Sequence, residues 1–350
     1  MGTTAERSSI PITAVTGGWV ELGRTTLGGA NSTIDVTSFA DKRYYMVLAS
    51  TTGRTGSSSA AVTRTGSSGT IDTSGNYAWR NSNNGGADAT GTSSTSATSL
   101  SGNAEPYFLV DYIANYSSKE KLGIMQFCDQ AGTGATVAPS RKEHVWKHVQ
   151  TSNPLDSYRY YTGSSDTFSS GSEVVVLGYD PTDTHTTNFW EELADVTLSS
   201  AGDTISSGTF TAKKYLWVQC YTHATGGNIT TQMRVGNTTV DSGSNYNFRY
   251  SDDGAADGSI TSQTQTVLTS GDNTMDRFVN IFIINNASNE KLMISHSVNS
   301  NTAGAGNAPL RTERVHKWAN TSNQINIIDI INGGAGNFDT GSFIKVWGSD

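Results

Sequence analysis

The sequence predicts an all-β protein built from two tandem, mutually similar antiparallel β-sandwich domains of jelly-roll type. Three observations predict it. The first is composition. The 350 residues include 37 Gly but only 6 Pro, and Ser, Thr and Asn dominate the polar content. Such a chain makes many short strands joined by polar turns. A hydrophobic content of 35% with aromatics throughout separates it from a disordered chain. The second is periodicity. No stretch carries an apolar stripe at helical period over a helix length, while β-branched and aromatic runs recur between turn residues. The third is self-similarity: the ending "GSFIKVWGSD" (341–350) is already written once as "GSEVVVLGYD" (171–180).

Taken in chain order, a short arm (1–18) precedes the first unit (19–180). Strand-forming runs in that unit are Tyr44–Ser50, Ala60–Arg64, Tyr77–Arg80, Tyr107–Tyr116, Lys121–Cys128, Glu143–Gln150, Ser157–Tyr161 and Glu173–Tyr179. The segment "IANYSSKEKLGI" (113–124) reads as a hairpin, with Asn and Ser in the turn and Lys and Glu at its tip. A linker (181–189) leads to the second unit (190–350), whose runs include Tyr215–Tyr221, Phe278–Asn285, Ile325–Ile331 and Phe343–Trp347. Eight or more strands in each unit suit a jelly-roll sandwich. An immunoglobulin-type sandwich is the rival, but its Cys…Trp…Cys spacing is missing.

The two units align at an offset of 170 through most of their length. Phe168 meets Phe338, Pro139 meets Pro309, and Asn115 meets Asn285. "EKL" occurs at 120–122 and 290–292, and "TSN" at 151–153 and 321–323. Nearer the start of the unit "NYAWRNSNNGGAD" (76–88) faces "NYNFRYSDDGAAD" (245–257), and Trp19, Leu22 and Tyr44 face Trp190, Leu193 and Tyr215. The small changes of offset fall in polar connections that tolerate them.

The net charge of −8 and the lack of a basic stripe exclude a nucleic-acid binder, which must replace counterions along phosphates. No apolar run reaches the roughly 18 residues of a membrane span. The start "MGTTAERSSIPITAV" has no apolar core of a secretory signal, so none is expected. The two cysteines, Cys128 and Cys220, face Val298 and Ala49, so no disulfide or zinc framework is expected.

Candidate sites are few. Arg80 with Asp88 and Arg249 with Asp257 recur after a repeated Asn-Tyr. Each reads as a loop held by a charge-assisted hydrogen bond, or as a ligand pocket with Tyr77 or Tyr246 as stacking face. Trp79 and Phe248 would add further aromatic surface. Asp252, Asp253 and Asp257 in "DDGAAD" resemble a fragment of a calcium loop, with a polar turn as the plain alternative. Its counterpart offers only Asn83, Asn84 and Asp88. His144, Trp146 and His148 alternate on a strand and share one face, expected to meet solvent or an interface; the histidines stand roughly 13 Å apart, too far for one ion. The second unit has Arg314, His316 and Trp318 there. The opposite face, Arg141, Glu143, Val145 and Lys147, is repeated as Arg311, Glu313, Val315 and Lys317 and reads as a structural charge ladder. No nucleophile elbow, phosphate loop or zinc-protease motif occurs, so no enzyme activity and no cofactor is expected.

The pattern of Trp and Leu, Asn-Tyr-x-x-Arg, Glu-Lys-Leu, "TSN" and "GSEVVVLGYD" resembles a class of virion structural proteins from marine viruses and tailed phages. The resemblance covers the chain after residue 18, and its motifs are structural. It implies a capsid shell, capsid-decorating or tail component of the virion, assembled in the host cytoplasm, whose partners are copies of itself and other virion proteins. Two sandwiches per chain suit a trimer with pseudo-sixfold shape. The alternative is a glycan- or receptor-binding module on a virion or cell surface, and the third reading is a glycoside hydrolase whose carboxylate pair does not stand out.

Overall fold

The computed structural model describes residues 15–350 apart from 17, 57–59, 101–103, 163–165, 186, 270, 272 and 301–303. Every regular element among the described residues is a strand, and every pairing is antiparallel. The sheets fall into two sets that share no ladder.

In the first sandwich an eight-stranded sheet runs Val20–Thr26, Glu173–Tyr179, Tyr44–Ser50, Tyr107–Ala114, Lys121–Asp129, Ser140–His148, Tyr77–Asn83, Ala89–Ser94. A smaller sheet runs Thr33–Val36, Ser157–Thr162, Ala61–Ser67, Thr70–Ile71. The first long strand pairs with the last, and the next with the next to last, which is the wrapping of a jelly roll. The second sandwich repeats this order with Glu191–Thr197, Phe343–Ser349, Tyr215–Thr222, Arg277–Ile284, Lys291–Asn299, Leu310–Trp318, Tyr246–Asp252 and Gly258–Gln263. Its smaller sheet is built on Thr204–Ser206, Ile327–Asn332 and Thr231–Asn237. Val15–Thr16 pairs with Thr184–His185, so the residues before the first sandwich are tied to the connection between the two.

Several residues that the two copies share in and just before the repeated ending have matching structural uses. Phe168 and Phe338 are buried core residues. Gly171 and Gly341 have φ of +85° and +92°, a left-handed turn that suits glycine. Ser172 and Ser342 each accept a hydrogen bond at 3.1 Å, from the amides of Thr52 and His223. Gly178 and Gly348 make room for Leu22 and Leu193, each of which is the extra residue of a β-bulge in the neighbouring strand.

The other repeated motifs lock the hairpins. Lys121 donates to the carbonyls of Tyr116, Lys119 and Gln150 at 2.7, 2.8 and 3.0 Å. Lys291 donates to those of Ala287, Asn289 and Asn320 at 3.4, 2.7 and 2.9 Å. One ammonium thereby joins the hairpin turn to the residue before "TSN". Asn115 and Asn285 play a matching part, accepting from the amides of Leu155 and Ile325 at 2.8 and 2.6 Å.

Each sandwich has its own core between its two sheets. A third apolar cluster lies between the sandwiches, where the outer faces of the two eight-stranded sheets meet. The first contributes Met46, Leu48, Phe108, Val110, Val175 and Leu177; the second contributes Tyr215, Phe282, Ile284, Leu292, Ile294 and Val315. Strands such as Tyr107–Ala114 are therefore apolar on both faces, because both faces are covered.

Candidate functional site

The residues singled out in the sequence separate into three groups. Tyr77 and Tyr246 are buried core residues, which removes them as stacking faces for a ligand. Their hydroxyls are spent on the backbone: Tyr77 donates to Thr65 O at 2.6 Å and Tyr246 to Val235 O at 2.8 Å. A tyrosine at a strand start satisfies its own polar tip in this way and stays inside. Phe248 is buried as well, and Trp79 packs against the first core.

Arg80 and Asp88 form the expected pair at 3.2 Å on the exposed surface. Arg249 and Asp257 do not pair. Arg249 donates to Pro139 O at 2.9 Å, and Asp257 takes Arg141 at 2.6 Å, both partners belonging to the first sandwich. The calcium reading fails on the same ground. Asp252 is held by Arg314 at 3.1 Å, Asp257 by Arg141, and Asp253 accepts from the amide of Arg311 at 2.7 Å. The three carboxylates face three different donors. Among the described residues no group of three His, Cys, Asp or Glu is placed to hold a metal ion.

His144, Trp146 and His148 do share a face, but it is the core face, not one open to solvent or to an interface. Burial holds the His144 imidazole down to about 4, despite its bond to Ala97 O. Trp146 lies over Gly123 of the adjacent strand and donates to Asp111 at 3.1 Å. Tyr158 donates to the same carboxyl at 3.2 Å. Asp111 is wholly buried with no cation beside it among the described residues, and burial pushes it up to about 8, so the protonated form dominates at neutral pH. In the second sandwich Ile281 stands in its place, and His316 is held between Thr266 and Ser295.

The charged ladder on the opposite face has a different use. Arg141 bridges to Asp257 at 2.6 Å and Glu313 at 2.8 Å in the second sandwich. Glu173 receives Tyr215 at 2.8 Å, Lys214 at 2.9 Å and Arg24 at 3.1 Å. Burial alone would raise Glu173, but the bond from Thr26 and the charges of Lys214 and Arg24 outweigh it and hold it low. Lys317, itself buried, pairs with Glu290 at 3.2 Å and donates to the carbonyls of Gln130 and Gly132. Glu290 in turn accepts from the amide of Gly134 at 2.6 Å. Charge on both sandwiches is thus committed to fixing one against the other.

Among the described residues an apolar surface is left open on the first sandwich. On the outer face of the first sandwich a groove of about 510 Å³ runs over Trp79, Leu122, Ile124 and Val145, between Arg80 and Lys147. It is broad and mainly apolar, with two cations on its rim. The sequence signal for it was the alternation Leu-x-Ile in "KLGI", which is apolar on the face away from the core. Cys128 and Cys220 are free thiols, buried in the cluster between the sandwiches and in the second core. Burial pushes the Cys220 thiol up to about 12, which leaves it unreactive.

No family model matches the chain, and no curated protein does. Among solved structures, domains LG4-5 of the mouse laminin alpha1 chain match over 98% of this chain and 93% of that one, at 12% identity and a TM-score of 0.22. The LG1-3 region of the laminin alpha2 chain matches over 94% of this chain and 62% of that one, at 9% identity and a TM-score of 0.22. The STIV MCP matches over 93% and 96%, at 9% identity and a TM-score of 0.14. The sandwich architecture rests on the strand order and ladders described above.

Proposed function

We propose that the chain is a structural protein of a virus particle that works by assembly, as a capsid shell, capsid-decorating or tail component. Its partners are copies of itself and other virion proteins. The observation that carries the reading is the use made of the charged and apolar surface. Buried ionic groups such as Arg141–Asp257 fix the sandwiches to each other, and a broad apolar sheet face with a charged rim remains open on the first sandwich. Such a face suits contact with another folded surface. The motif resemblance to virion proteins points the same way.

The reading as a glycan- or receptor-binding module drew on Tyr77, Trp79, Tyr246 and Phe248; three of these rings are inside, and Trp79 alone lines the open groove. The test is quantitative mass spectrometry on density-purified virus particles from the source. Hundreds of copies per particle fit a shell or decoration protein, and a few to a few dozen fit a tail component. Absence from the particles overturns the proposal.

A further inference from the structure

The surfaces joining the two sandwiches occur twice in the chain, because the unit does, but they are joined only once. Leu292, Ile294 and Val315 of the second sandwich are 1%, 2% and 1% exposed, covered by the first. Their counterparts at the 170-residue offset are Leu122, Ile124 and Val145, the same three residue types in the same three places. These are 55%, 58% and 47% exposed and line the open groove. The converse holds on the covering side. Phe108 and Cys128 of the first sandwich are buried in the junction, whereas their counterparts Phe278 and Val298 are 38% and 43% exposed.

The ionic part of the junction is duplicated as well. Arg141 reaches Asp257 across the junction, and the counterparts of that pair are Arg311 and Asp88. Arg311 and Asp88 are both exposed, and their ion pairs among the described residues stay within their own sandwich, with Glu313 at 3.5 Å and Arg80 at 3.2 Å. The Lys317–Glu290 pair beneath the junction has the exposed pair Lys147–Glu120, at 2.9 Å, as its counterpart beside the groove.

We infer that the groove of the first sandwich is the seat for the second sandwich of another copy of this chain. Phe278 and Val298 of that copy cover Leu122, Ile124 and Val145, and its Arg311 meets Asp88. Each chain then presents one socket and one plug: the socket repeats the three junction residues Leu, Ile and Val, and the plug keeps Phe278 for Phe108, with Val298 in place of Cys128, Asn280 in place of Val110 and Lys345 in place of Val175. Such an interface is head-to-tail: it closes into a ring or propagates as a filament. A ring closing at three copies would carry six sandwiches. The inference rests on the assembly reading above and names its contact.

The test is sedimentation velocity on the full chain and on two variants, Ile124→Asp, which blocks the socket, and Val298→Asp, which blocks the plug. Both positions are exposed, so the variants are expected to fold, and circular dichroism checks that. Each variant alone is expected to remain a single copy at concentrations where the unmodified chain associates, with its association weakened about a hundredfold. Mixed one to one, they are expected to form a two-copy complex and nothing larger, since one sound socket meets one sound plug. Arg311→Asp is expected to weaken association, and Asp88→Arg on the partner copy to restore it. An unmodified chain that stays single, a variant that associates as the unmodified chain does, or a mixture that gives no pair overturns the inference. The two proposals fail separately. A chain abundant in particles but single in solution removes this contact alone. A chain that associates through it but is absent from particles removes the virion reading.

Discussion

Arg141 of the first sandwich holds Asp257 of the second at 2.6 Å, and both side chains are almost wholly excluded from water. An ion pair so placed is strongly coupled to its surroundings. Removing Arg141 strands the buried Asp257 carboxylate and takes from Glu313 and Glu143 the cation they share with it. Arg141→Ala is expected to cost about 3–5 kcal/mol and to let the two sandwiches unfold as separate transitions. Replacing the pair together, as Arg141→Met with Asp257→Leu, is expected to recover much of that. Calorimetry on the two variants checks both statements. Equal losses from the single and the double change would show that the pair is not what joins the sandwiches.

The buried Asp111 gives the first sandwich a pH signature. Its folded value of about 8 stands far above the ordinary 3.8. The folded chain keeps a proton that the unfolded chain releases, so stability falls as pH rises between those values. Below about 6.5 the effect is opposed by His144 and His316, which burial holds down to about 4 and about 3. Unfolding gives those two imidazoles protons that the folded state refuses. The window from about 6.5 to 8 therefore belongs mainly to Asp111, with a limiting slope of about 1.4 kcal/mol per pH unit. Urea unfolding across that window is expected to show the decline in the parent chain and a flat profile in Asp111→Asn.

The hairpin lysines are expected to act locally. Lys291→Met leaves the carbonyls of Ala287, Asn289 and Asn320 without their shared donor. The expected loss is about 1–3 kcal/mol, read as faster amide exchange in the turn after Ile284 and in the loop at 320–323. Lys121→Met is expected to do the same around Tyr116 and Gln150. Unchanged exchange at the second loop would show that the lysine does not bridge the two segments.

Gly123 is a packing requirement. A Cβ there would lie 2.1 Å from Cε2 of Trp146, whose ring covers the glycine. Gly123→Ala is expected to displace the indole from Asp111 and to cost about 1–3 kcal/mol, with a shift in tryptophan fluorescence reporting the movement. An unshifted spectrum with unchanged stability would contradict the packing described.

The fold was legible because duplication doubles every signal. A strand read weakly in one copy is read again in the other, and the offset marks where loops change length. The hairpin at 113–124 is present, its turn falling between Ala114 and Lys121. The Arg80–Asp88 contact was legible too, since both ends lie in one local loop. What failed was sidedness. Alternation says that His144, Trp146 and His148 share a face, but not which face is inside. Here the opposite face carries Val145 and its apolar neighbours, so hydropathy does not separate the two. Tyr77 and Tyr246 failed differently: a tyrosine beside a polar loop reads as exposed until its hydroxyl is seen bound to a backbone carbonyl. Arg141 against Asp257, and Lys214 and Tyr215 against Glu173, were out of reach, because they come from the other sandwich and leave no trace in local spacing.

The central claim is that this chain works by assembling with itself, and static light scattering of the unmodified chain over a concentration series tests it most directly. The account predicts a mass that rises with concentration from the 37.1 kDa of one chain toward multiples of it. A mass that stays at one chain through the micromolar range and beyond would contradict it.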